Sequence, residues 1–77
     1  MPVLADRLEQ AAIRKLAAGL PSSQNVEWIQ AAKEVVAILG EVDRVVHGLG
    51  IYREYEAARI QGGSAMKNIV RFLRERL

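Results

Sequence analysis

The chain reads as an all-α fold of three to four helices, a long antiparallel helical hairpin with a short N-terminal helix packed across it. Three observations carry that reading. Apolar residues recur at spacings of three and four throughout, and no segment alternates with period two. Glycine, proline, serine and asparagine cluster at three places only. The 77 residues contain no cysteine and a single histidine, so a helical core must hold without disulfides or a multi-histidine metal site.

The first helix is expected over about 3–18. Leu4, Leu8, Ala12 and Leu16 repeat every four residues, flanked by Ile13 and Leu20. Asp6 and Glu9 lie early and Arg14 and Lys15 late, as the helix dipole favours. Gly19 and Pro21 stop the helix, since glycine accepts the left-handed conformation and proline cannot continue the bonding ladder.

Pro21-Ser22-Ser23-Gln24-Asn25 forms a turn in which Ser23 or Asn25 can cap the next helix. That helix spans about 25–48. Trp28, Ala32, Val35, Leu39, Val42, Val46 and Leu49 alternate spacings of four and three without a slip, the a and d positions of a heptad. Ile29 and Val36 at e, and Ala31, Ile38 and Val45 at g, widen the stripe to roughly 200° of circumference, against about 100° for one antiparallel neighbour. A two-stranded coiled coil would carry charges at those positions. The helix therefore requires at least two covering neighbours, and apolar surface left over would drive association.

Gly48 and Gly50 end this helix, and a third begins near Ile51. Its seam reads Ile51, Tyr55, Ala58, Gly62, Ala65, Ile69 and Phe72. Adjacent Gly62 and Gly63 would cost a helix interior about 2 kcal/mol together, and Ser64 is a good cap, so a break at the glycines is favoured over a kink. Residues 25–48 and 51–76 have matched lengths and seams and should fold back on each other. All 77 residues belong to one domain.

Function classes narrow by elimination. Thiol catalysis and cysteine-held zinc are excluded, and no cofactor or metal is expected. The uncharged stretch Met1–Ala5 is short and gives way at once to Asp6 and Arg7, so no signal peptide or membrane span is readable, and a cytoplasmic location follows by default. Asp43 and His47 sit four apart, the geometry of an oriented imidazole, with Ser64 the only nucleophile to join them; a solvated histidine near a helix end is the stronger reading. Glu54 and Glu56 beside Tyr52 and Tyr55 are expected to point to water, Tyr55 excepted. Gly62 to Lys67 resembles an anion-binding helix start but lacks the phosphate-loop spacing. No catalytic residue is assigned, and the chain is expected not to be an enzyme.

Charge points to partners instead. Net charge is +2, and residues 50–77 hold six cations against three carboxylates. Lys67, Arg71 and Arg74 form one helical stripe beside Asn68, Phe72 and Arg76. The plain reading is a solvated face whose C-terminal charges match the helix dipole; as a site, the stripe suits an acidic protein surface, or more weakly nucleic acid, for which a helix-turn-helix is lacking, or lipid. Trp28 and Tyr52 are residue types that dominate interface hot spots. The expectation is a non-enzymatic interaction or assembly module, a homodimer that also binds another protein through Trp28, Tyr52, Lys67, Arg71 and Arg74, acting as a small regulator, inhibitor, chaperone or adaptor. The runner-up is a DNA-binding regulator using the basic C-terminal helix.

Overall fold

The computed structural model describes residues 3–77, so Met1 and Pro2 of the uncharged N-terminal stretch lie outside the described residues. Four helices follow in order: α1 (Leu4–Ala17), α2 (Val26–Gly48), α3 (Tyr52–Arg59) and α4 (Ala65–Arg76). No strand occurs among the described residues.

Local chemistry sets the helix ends. Asn25 caps α2, its Oδ1 accepting from the Trp28 amide at 3.1 Å. Its Nδ2 also donates to the Ala18 and Leu20 carbonyls at 2.9 and 3.0 Å, so one side chain starts α2 and closes the end of α1. At the far end of α2, Gly50 adopts φ +72°, the Ile51 amide donates to the Val46 carbonyl and the Gly50 amide to that of His47. That is a Schellman stop, and Ile51 joins the core beyond it. The break at the glycines is real: α3 stops at Arg59, Gly63 takes φ +88°, and Ser64 Oγ accepts from the Lys67 amide.

The chain turns back at Leu49–Gly50, but the arm expected to lie along α2 is divided into α3 and α4, of which only α3 approaches α2; the long antiparallel neighbour of α2 is α1. Helix α1 packs along α2 and on α4, while α4 also packs on α3; α2 and α4 make no close backbone approach. Arg7 pairs with Glu41, and seven residues on Arg14 pairs with Glu34, seven residues back, so α1 and α2 run antiparallel. Asp6 and Glu9 meet Arg74 across α1 and α4; Leu4 lies near Leu73 and Leu77 while Leu16 lies near Ser64 and Met66, so these helices also run in opposite senses.

The core gathers Ala5, Leu8 and Ala11 of α1, Val35, Ile38, Val42 and Val46 of α2, Tyr55 of α3, and Ile69, Val70, Phe72 and Leu73 of α4. Leu8, Val42 and Val46 are completely covered. Tyr55 meets the Phe72 ring edge-on at 5.8 Å, and burial pushes its hydroxyl above the ordinary tyrosine value.

Expected core positions are corrected in each of the three seams. Leu16 is 79% exposed. A row of fours advances about 40° per step on a helix of 3.6 residues per turn, so Leu16 has swung about 120° from Leu4 and off the core side. Trp28 is half-buried and Leu49, at the α2 cap, is exposed, because the covered stripe of α2 runs through Ala31, Val35, Ile38, Val42 and Val46, shifted toward the g side of the heptad. Gly62 and Ala65 leave the third seam, since the chain turns there; Val70 and Leu73 enter it, facing α1.

Candidate functional site

Helices α1 and α4 leave a groove of about 560 Å³ between them, open to solvent along its length. Its floor is apolar: Ala12, Ile13 and Leu16 from α1, Met66 and Val70 from α4. Within that floor Ile13 is 51% exposed and Leu16 is exposed further still. Both residues lie on the side of α1 turned away from α2, and α4 runs alongside them, with Met66, Lys67 and Val70 lining the same groove, without closing over them.

Lys67, Arg71 and Arg74 line the α4 rim, and Glu9 and Glu75 complete it. The three cations differ in what they already hold. Arg74 Nη2 donates to Glu9 at 2.7 Å and to Asp6 at 3.3 Å, and these carboxylates, Glu9 foremost, hold its pKa above the ordinary arginine value. Arg71 Nη2 donates to the neutral Asn68 Oδ1 at 2.7 Å and meets no carboxylate. Lys67 has no ion-pair partner among the described residues. Arg76 stands over the Phe72 ring at 5.5 Å, outside the groove.

Tyr52 and Trp28 sit elsewhere. Tyr52 opens α3 half-buried and stacks on His47 at 4.1 Å between ring centres. His47 Nδ1 lies 2.7 Å from the Asp43 carbonyl and 3.6 Å from its carboxylate. These groups occupy the C-terminal end of α2, whereas Ser64 caps α4 beside Leu16 at the opposite end of α1, so hydroxyl and imidazole are not brought together. Glu56 is spent in a two-point pair with Arg59, at 2.9 and 2.7 Å. Trp28 borders a shallow apolar hollow on the outer side of α2 with Ile29, Ala32, Lys33 and Val36; Val36 is 69% exposed.

Sequence reasoning found the basic rim and missed the floor. The signal was available in the second apolar stripe of α1, Ile13, Leu16 and Leu20 at spacings of three and four, distinct from Ala5, Leu8 and Ala11. Among the described residues, no helix is long and apolar enough to cross a membrane. No protein-family model matches the sequence, and neither the curated proteins nor the solved structures contain a match.

Proposed function

We propose that the chain is a non-enzymatic interaction and assembly module that self-associates as a homodimer and works in the cytoplasm as a small regulator, inhibitor, chaperone or adaptor. One observation carries the reading: the apolar floor of the α1–α4 groove, in which Leu16 is 79% exposed. A core this small leaves little stability to spare, and covering such a surface with a second chain both removes it from water and adds core.

The nucleic-acid reading has weaker support. Arg74 is already engaged by Glu9 and Asp6, and Glu75 stands on the same rim, so the stripe presents two available cations beside a carboxylate.

Light scattering tests the reading. It should return close to twice the 8.5 kDa chain mass at micromolar concentration, with a melting temperature that rises with concentration. A monomer with a concentration-independent melting temperature overturns it. Tight, salt-sensitive binding to random duplex DNA at about 50 mM salt would favour the runner-up.

A further inference from the structure

Charge along the α1–α4 groove is sorted by end. At one end stand three carboxylates, Asp6, Glu9 and Glu75, against one guanidinium, Arg74. At the other stands Lys67, with Arg71 leaning back toward it onto Asn68, and no carboxylate lines that part of the groove. The groove is thus negative where α1 starts and positive where α4 starts.

On α4 the arrangement is symmetric about Arg71: Lys67 lies four residues before it and Glu75 four residues after, all three lining the groove. A second chain laid on this face in the same direction would put like charge on like. Laid on it in the reverse direction, about a two-fold axis passing near Arg71, it meets opposite charge at both ends. The two Arg71 guanidiniums flank the axis, each bonded to Asn68 Oδ1 of its own chain.

We propose that a second copy of this chain occupies the groove in that reversed orientation, Lys67 of each copy facing Glu75 of the partner subunit. The proposal rests on the homodimer reading above and assigns its surface. About that axis Ala12 and Ile13 of one copy meet those of the other and supply the apolar contact, while Leu16 of each copy reaches over the Glu9–Arg74 end of the partner's groove. The end charges fix direction and register, since exposed ion pairs contribute little energy but discriminate strongly between alignments. Glu9 is shared with Arg74 inside its own chain, so Glu75 is the carboxylate left to answer Lys67.

The test uses the full chain in sedimentation velocity, with circular dichroism to verify folding. Leu16→Glu should weaken dimerisation about a hundredfold, because it twice replaces a leucine in the contact with a carboxylate facing the acidic end of the partner's groove. Lys67→Glu and Glu75→Lys should each weaken it about tenfold, since each creates two repulsive contacts in a homodimer. An equimolar mixture of these two variants should return to within a few-fold of the wild type, because the mixed pair restores opposite charges at both contacts. The charge changes agree with the dipole at each end of α4, so the fold is retained. Val36→Glu, on the outer side of α2, should leave the dimer unchanged. A wild-type monomer sinks the homodimer reading itself. A wild-type dimer that ignores Leu16→Glu, or whose two charge variants fail to rescue each other, leaves that reading intact and overturns the groove assignment.

Discussion

Asn68 Nδ2 donates to the Gln61 carbonyl at 2.9 Å, joining the second turn of α4 to the loose end of α3. Asn68 is 5% exposed and is the buried polar side chain of the core. The same amide lies 3.5 Å from the Arg59 and Gly62 carbonyls, and its Oδ1 receives Arg71. The last carbonyls of a helix have no intrahelical donor. Here one side chain supplies it, and the two halves of the broken arm are held at a defined angle by a bond rather than by packing alone.

Asn68→Ala should therefore destabilise the domain by about 1 kcal/mol, the net cost of losing a hydrogen bond to carbonyls of the exposed residues Gln61 and Gly62 that water can reach. Urea denaturation gives the magnitude. Amide exchange should quicken first around residues 59–63. Uniform loss of protection across all four helices would show that Asn68 acts through general packing instead.

The glycine pair separates conformational freedom from space. Gly63 has φ +88° and an added Cβ would meet nothing within 4 Å, as is also true of Gly62, whose φ is not positive. Gly63→Ala should cost about 1–2 kcal/mol from the left-handed backbone alone. Gly62→Ala should be neutral or stabilising by a few tenths, as a less flexible unfolded chain loses less entropy. Equal midpoints for the two variants would contradict the turn geometry.

Two valines on one helix test which side of α2 is covered. Val42 is 0% exposed and Val36 is 69% exposed. Val42→Asp should leave the chain unfolded at 25 °C, since a carboxylate buried without a partner costs several kcal/mol and the domain is small. Val36→Asp should melt within a few degrees of the wild type. Circular dichroism on the two variants decides it, and a folded Val42→Asp would be incompatible with the core described.

The Glu56–Arg59 pair gives a pH dependence with a definite sign. Hydrogen bonding from Arg59 holds the Glu56 carboxyl below its ordinary value. The folded state thus favours the charged carboxylate. Its contribution is complete above the ordinary glutamate value and is lost as pH falls through that value toward the lower folded one. Glu56→Gln should lower stability at neutral pH and flatten the acid limb of a stability-against-pH curve. A limb of unchanged slope would mean the pair is too well solvated to matter.

Local chemistry was legible in the sequence. The ends of α2 and α4 at Asn25 and Ser64, the glycine stops at Gly19 and Gly50, and the break before Ser64 all follow from bonds made within a few residues. The candidate rim of Lys67, Arg71 and Arg74 was legible for the same reason, as one stripe on one helix. Which apolar faces are covered was decided by tertiary structure. Helix α2 carries apolar side chains over more of its circumference than α1 and α3 can reach, so Ile38 went inside and Val36 stayed out. On α1 both Leu8 and Leu16 belong to apolar rows, yet only the first lies under its neighbours, while α4 begins beside Leu16 and leaves it open. The pairing of Arg74 with Glu9, across 65 residues of chain, likewise exists only once α1 and α4 lie side by side. Periodicity reports how much apolar surface a helix offers; the lengths and crossing points of its neighbours determine which part of that surface leaves water.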